Sequence, residues 1–261
     1  MAARRLETRR RRMRPVLFEV AGVPVYAYGV FYLLAILTML ALVLYEARRR
    51  HWPKEELVPI LLAGFVGGIV GARLSIVFFN GWQTAPDVTF MALFDPRIGP
   101  GSILGGIGGA YIGGYIASKA IGRPGCACDA FAPAMALGNA IGRIGVFLGG
   151  VDGLGKPTTL PWGVQLPGNN YLVHPAPLYD AAFDVAWFLL LMALRDHPAM
   201  QNGNLLKFGL AGYAVVRFFI EFVRNNRVIL AGLTGQQLFC LVLVAGLGVW
   251  FVLHQKRLAT A

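Results

Sequence analysis

Seven apolar stretches divide the chain, near residues 24–45, 57–79, 101–121, 129–149, 177–195, 205–223 and 235–254. A helix needs roughly 20 apolar residues to cross a bilayer. The pattern therefore predicts an all-α, polytopic membrane protein with about seven transmembrane helices. The second stretch carries Gly64, Gly67, Gly68, Gly71 and Ser75 on one side, and the fourth carries Gly138, Gly142, Gly145 and Gly149. Small-residue stripes of this kind let membrane helices approach closely, and packing is their ordinary meaning. The longest connections are 80–100 and 150–176. The second is dense in turn formers, as in Pro161-Trp-Gly163 and His174-Pro-Ala-Pro177. Long loops with their own ordering residues often carry function.

Polar intrusions into this pattern are the candidate chemistry. Arg217 and Glu221 interrupt the run from Phe208 to Arg224, where a charge costs roughly 2.5–3.5 kcal/mol to insert. Tyr213, Arg217, Glu221 and Arg224 follow steps of four, four and three, which on a continuous helix fall within about 80° of one face. That face is net cationic and suited to an anion. The competing reading is a self-satisfied Arg217–Glu221 pair that only locks packing; the surplus charge of Arg143 and Arg224 argues against it. Arg143 lies inside Leu137–Gly150 with Asn139 one turn earlier. An arginine's planar fork suits a phosphate, because it can donate two parallel hydrogen bonds.

Other residues divide between two readings. Arg73, in Gly71-Ala-Arg-Leu74, is as well suited to structure as to a ligand. His174 either stabilises a turn or serves as a base or substrate contact. Asp180 and Asp184 are expected to cap a helix or pair with cations rather than catalyse. Asp129 reads as a helix cap. Tyr28 opens the first helix as an interfacial anchor or as part of a site.

Composition supports the membrane assignment: 56% of residues are hydrophobic and only 14% charged, against about 25% charged in soluble domains. The net charge of +11 does not call for nucleic acid, because the basic residues sort by loop. Arg48–Arg50, Lys54, Lys119, Arg123, Arg195, Lys207, Lys256 and Arg257 fall on one side. By the positive-inside tendency the C-terminus is cytoplasmic and the N-terminus outside. Cys126, Cys128 and Cys240 are too few for a disulfide framework and read as free thiols. No P-loop, Ser-His-Asp order or metal-ligand spacing is evident, so neither a cofactor nor a metal is expected. The organisation reads as a basic arm at 1–14 followed by one transmembrane catalytic domain at 15–261.

Ordered along the chain are Tyr28-Gly29, Gly71-Ala-Arg-Leu74, Asp129-Ala-Phe-Ala-Pro133, Leu137-Gly-x-Ala-Ile-Gly-Arg-Ile-Gly145, Pro161-Trp-Gly163, His174-Pro-x-x-Leu-Tyr179, Tyr213-x-x-x-Arg-Phe-x-x-Glu-Phe-x-Arg224 and Leu233-Thr-Gly-Gln236. With these motifs the chain resembles bacterial prolipoprotein diacylglyceryl transferase over nearly its full length after Met13. The resemblance implies a seven-helix enzyme of the bacterial inner membrane. Its substrates would be phosphatidylglycerol, drawn from the membrane lipid, and the lipobox cysteine of secreted prolipoprotein signal peptides. It also implies that Arg143 and Arg217 clamp the lipid phosphodiester, with Tyr28, Tyr213 and Glu221 completing the pocket. Arg73, Asn139, Gly155 and Arg224 are further candidates for substrate binding. Three positions depart from the family pattern. A common His-Gly-Gly is Leu104-Gly-Gly106, Gly-Asn-Phe is Gly145-Val-Phe147, and Asn-Gly-Glu is Gly149-Gly-Val151. Asp152 then stands one place beyond the usual glutamate, and His174 is the remaining candidate proton acceptor. A non-catalytic phospholipid-binding or lipid-moving protein on the same fold is the alternative.

The arm holds Arg4, Arg5, Arg9–Arg12 and Arg14, which the charge rule would place on the wrong side. Translation from Met13 would remove six of these arginines. Intact-mass analysis of the purified protein is expected to give an N-terminus at Met13; a peptide beginning earlier would refute that start.

Overall fold

The computed structural model describes residues 15–20, 22–75, 103–122, 127–150, 154–166, 170–226 and 228–259. The basic arm, the connection at 80–100, Cys126 and Asp152 lie outside these described residues. Among the described residues are seven α-helices: α1 (Ala27–Arg49), α2 (Lys54–Ser75), α3 (Ile103–Ala120), α4 (Phe131–Gly149), α5 (Ala176–Leu194), α6 (Asn204–Ile220) and α7 (Gly235–Ala259). Each answers to one apolar stretch of the sequence. Five segments, Ala27–Arg49, Lys54–Leu74, Cys128–Gly149, Ala176–Leu194 and Gly235–Leu253, are long and apolar enough to cross a membrane. The remaining helices, α3 and α6, have 18 and 17 residues. The chain is a mostly helical, multi-pass membrane protein.

Among the described residues, three short antiparallel pairs lie outside the helices: β1 (Val16–Val20) with β2 (Val23–Tyr26), β3 (Val164–Gln165) with β4 (Leu172–Val173), and β5 (Val228–Leu230) with β6 (Leu233–Thr234). The last turns at Ala231 and Gly232, with φ of 50° and 78°. Tight hairpins whose twist matches the strands require positive φ at such positions.

The chain forms two compact units. Residues 1–43, 131–200 and 205–261 make the first, and 44–130 with 201–204 the second. In the second, α2 and α3 meet backbone to backbone. A Cβ on Gly67 would lie 2.3 Å from the Gly109 carbonyl oxygen, and one on Gly71 2.2 Å from that of Gly105. The glycine stripe is packing, as expected. Asp129, read as a cap, accepts the Gly203 N–H at 2.7 Å. Cys128 is disulfide-bonded, which corrects its reading as a free thiol, whereas Cys240 is free and buried.

In the first unit, α4 lies against α1 through Gly138, which faces Met39, and Gly145, which faces Phe31. The register between α5 and α6 is set by Trp187. Its ring fills the space over Gly212, and its Nε1 donates to the Gly209 carbonyl at 3.1 Å. Phe183 and Phe208 stack on it at 5.4 and 5.2 Å. Asp180 lies two turns before Trp187, and Arg217 somewhat over one turn after Gly212 on the adjacent helix. At about 1.5 Å per residue, this brings the two side chains to one level.

The α2–α3 contact gives a direct comparison. A methyl at Gly109 would sit 2.0 Å from the Gly67 carbonyl oxygen, whereas nothing lies within 4 Å of one at Gly108. Gly109→Ala is expected to destabilise by about 1–3 kcal/mol or more, as overpacking does. Gly108→Ala should be neutral or slightly stabilising through helix propensity. Thermal unfolding in detergent micelles distinguishes the two.

Candidate functional site

Residues near the C-terminal ends of α4 and α6 meet residues near the N-terminal ends of α5 and α7. At the centre is Asp180, 2% exposed in the second turn of α5. Arg217 Nη1 donates to its Oδ1 and Oδ2 at 3.3 and 3.2 Å. Arg224 Nη1 donates to Oδ2 at 3.1 Å. Arg143 Nε stands 3.4 Å from the same oxygen. Three guanidiniums from two separate stretches of chain thus converge on one carboxylate.

Glu221, 1% exposed, is the second anion. Its Oε2 lies 2.9 Å from Arg217 Nη2 and 3.7 Å from Arg224 Nε. Its Oε1 accepts from Thr234 Oγ1 at 3.0 Å and from Asn226 Nδ2. Arg217 Nη2 also donates to Gln236 Oε1 at the start of α7. The β5–β6 hairpin is thereby tied directly to the arginine cluster. Among the direct contacts three guanidiniums thus face two carboxylates, with Asp184 within electrostatic reach of Arg143 and Arg217.

Two guanidinium donors in the cluster, Arg143 Nε and Arg224 Nε, are buried and ion-paired without forming a hydrogen bond. Glu221 Oε2, which faces Arg224 Nε, lacks one as well. Buried polar groups are nearly always satisfied, so the hydrogen bonding of this cluster is incomplete as it stands. Arg224 lies past the end of α6. Burial, together with the Arg217 and Arg143 guanidiniums, pushes its pKa down to about 10.

The polar stripe expected on one continuous helix is only partly helical. α6 ends at Ile220, Glu221–Val223 form a 3-10 turn, and Arg224 is extended at φ −85° and ψ 151°. The cause is tertiary pairing. Lys156 N–H donates to the Val223 carbonyl at 2.7 Å, and Gly155 bridges Arg224 in antiparallel fashion. Gly155 N–H in turn donates to the His174 carbonyl at 2.8 Å. A Cβ on Gly155 would lie 2.4 Å from His174 Cβ and 2.6 Å from the Val223 oxygen. A side chain at 155 would force these segments apart and swing Arg224 off Asp180.

The other expected residues are distributed as follows. Tyr213, half-buried on α6, lies within electrostatic reach of Arg143. Tyr28, in the first turn of α1, stacks on Tyr32 with ring centroids 6.0 Å apart and lies within electrostatic reach of Arg143. Asn139 donates to Asp184 at 2.6 Å, one turn below the cluster. The His174 ring takes the Tyr179 hydroxyl as its partner, 3.3 Å from Nδ1, and Trp162 Nε1 donates to the same hydroxyl at 2.8 Å. Arg73 is half-buried near the end of α2, in the second unit. Gln236, Thr234 and Asn226 were not singled out from the sequence. Uncharged and close to turns, they carry no sign of cost in an apolar run; the motif Leu233-Thr-Gly-Gln236 takes in Thr234 and Gln236, and nothing pointed to Asn226.

The family model for prolipoprotein diacylglyceryl transferase matches residues 15–253. The chain is 30% identical over 247 residues to the phosphatidylglycerol–prolipoprotein diacylglyceryl transferase of Finegoldia magna, covering 94% of this chain and 98% of that one. The protein of the same description from Clostridium tetani is 32% identical over 224 residues, 82% of this chain and 86% of its own. That of Chlorobaculum tepidum is 31% identical over 258 residues, 91% and 89%.

Removing one anion from the cluster tests its energetics. Glu221→Gln preserves shape and the polar contacts of Oε1 but leaves Arg217 and Arg224 short of a counter-charge. Breaking a buried pair in this way costs about 3–5 kcal/mol. A fall of that order in unfolding free energy, measured by thermal or chemical denaturation in micelles, is expected; a change under about 1 kcal/mol would mean the pair is screened as at a surface.

Proposed function

Because the chain belongs to the prolipoprotein diacylglyceryl transferase family, we propose that it transfers a diacylglyceryl group from phosphatidylglycerol to the lipobox cysteine thiol of secreted prolipoproteins. The observation that carries this reading is the buried arginine cluster, three guanidiniums in contact with two carboxylates and with hydrogen bonds left unformed. A phosphodiester supplies one negative charge and acceptor oxygens, which suit a cluster with more guanidiniums than contacting carboxylates.

In the proposed reaction the cysteine thiolate attacks the diacylglycerol carbon that bears the phosphate oxygen. A carbon–sulfur bond forms, that carbon–oxygen bond breaks, and the electron pair leaves on the phosphate as glycerol phosphate. Negative charge on the phosphate grows during the step. Guanidiniums already fixed in place stabilise that growth without reorganisation. Arg143, Arg217 and Arg224 are the proposed clamp, with Glu221 holding the latter two. Tyr213 orients Arg143, and Tyr28 lines the headgroup side. Asn139 braces α4 through Asp184, and Gly155 admits Arg224 to the cluster. Asp152 is proposed as a further headgroup contact. The thiol proton needs an acceptor, and His174 is the proposed one.

The proposed topology has seven spans in the bacterial cytoplasmic membrane, with the N-terminus outside and the C-terminus in the cytoplasm. Residues 15–261 work as one catalytic domain preceded by the basic arm. The charge distribution along the loops supports this orientation. In this proposed orientation the clamp faces the outer side, where a translocated signal peptide presents its cysteine.

Purified protein incubated with phosphatidylglycerol and a lipobox peptide should yield a thioether-linked diacylglyceryl peptide, detectable by mass spectrometry. Arg143→Ala and Arg217→Ala should abolish product with the fold intact. Arg217→Lys should lose about 10²-fold or more, since a point charge cannot reproduce the paired donors. No product with wild type and a competent peptide would favour a lipid-binding protein without transfer activity.

A further inference from the structure

Asp180 sits where a substrate anion would have to act. Its carboxylate takes both Arg217 Nη1 contacts and the Arg224 Nη1 contact, and lies 3.4 Å from Arg143 Nε. It comes from α5, while the guanidiniums come from α4, α6 and the extended segment after α6. Glu221 differs. It lies in the turn between Arg217 and Arg224, pairs with both, and does not reach Arg143 among the described contacts. Among the described residues, Asp180 is thus the one group that gathers all three arginines.

We infer that Asp180 is an internal counter-anion: it pre-positions the three guanidiniums and competes with the substrate phosphate for them. The inference rests on the phosphate-clamp reading. Three guanidiniums brought together without an anion repel one another at low dielectric. The carboxylate offsets that repulsion, so the arginines stand ready before substrate arrives. The same carboxylate carries a like charge to the phosphate, and like charges in a desolvated site weaken binding. Asp180 therefore holds headgroup affinity down. It favours release of glycerol phosphate, the more highly charged species, after transfer. Asp180 is a positioning residue in this account, because it acts on the reacting atoms through the arginines.

The account separates affinity from turnover. In Asp180→Asn, the amide keeps the shape but not the charge. Glycerol 1-phosphate should then inhibit about tenfold more strongly than in wild type, while kcat falls about tenfold or more as the arginines lose their common anchor. KM for phosphatidylglycerol should fall or stay level. A role confined to stability would lower the active fraction and leave the inhibition constant alone. Asp184→Asn is the control for a buried neighbouring carboxyl outside the contacts: Asp184 takes the Asn139 amide rather than a direct guanidinium contact, so its inhibition constant should stay within about threefold of wild type, less than a unit charge in contact is worth.

Thermal unfolding in micelles, with and without glycerol 1-phosphate, covers the case in which Asp180→Asn folds poorly. The anion should raise the melting temperature of Asp180→Asn by more than it raises that of wild type, since it replaces the missing carboxylate. Equal or weaker inhibition, an equal or smaller thermal shift, or a variant that stays unfolded with the anion present overturns the inference. Tightening by Asp184→Asn as large as that of Asp180→Asn also overturns it. Wild type that neither binds glycerol 1-phosphate nor makes the thioether product would instead defeat the clamp reading itself.

Discussion

Asp180 holds Arg143, Arg217 and Arg224 within 3.4 Å of one carboxylate, in a place where none of the four residues is more than 9% exposed. A buried charge without a partner is costly enough to unfold a marginal protein. Each element of the first unit must therefore end where its charged side chain can reach the others. α4 brings Arg143 to its last two turns, α5 begins one turn before Asp180, and α6 stops just after Arg217. The aromatic contact of Trp187 over Gly212 holds α5 and α6 in the one register that satisfies Asp180 and Arg217 together.

The segments between helices follow from the same constraint. If α6 continued past Ile220, Arg224 would stay on a helical path fixed by its own chain. The 3-10 turn and the pairing with Gly155 and Lys156 give it an extended backbone, from which it reaches Asp180. The hairpin after it returns Thr234 and Gln236 to Glu221 and Arg217. Loops that by composition would be expected to be irregular are held by hydrogen bonds to the charges they surround.

The seven helices and the four charged residues Arg143, Arg217, Glu221 and Arg224 were legible in the sequence for one physical reason. An apolar run long enough to span announces itself, and a charge inside it stands out by its cost. Asp180 was legible only as a partner for some cation. It lies near the start of α5, where capping and hydration are equally ordinary fates for an aspartate, and nothing local names three distant arginines. The end of α6 at Ile220 was not legible, because the apolar pattern runs on through Phe222 and Val223 and the helix is stopped by Gly155 and Lys156, far away in sequence. The short strands were too brief for a two-residue period to show. Asn226, uncharged and beyond the end of α6, incurs no visible cost, so it went unmarked, and Gln236 was visible only as part of a motif.

Stability alone gives no reason for such a cluster. Well-packed apolar residues in place of a buried ion network are commonly as stable, or more so by about 1–4 kcal/mol. The network here is also incomplete: a network built only for rigidity would close its hydrogen bonds, because each unmet donor gives back part of what the ion pairs gain. Arg143 Nε and Arg224 Nε face carboxylates without forming a hydrogen bond, on two guanidiniums that come from different segments and are anchored by the same carboxylate. Anchoring fixes where these donors sit, and the unformed bonds leave them able to take a better-placed acceptor. A site that is both rigid and unsatisfied is suited to a partner whose charge increases during reaction, since the gain on binding is then largest at the point where the bond breaks.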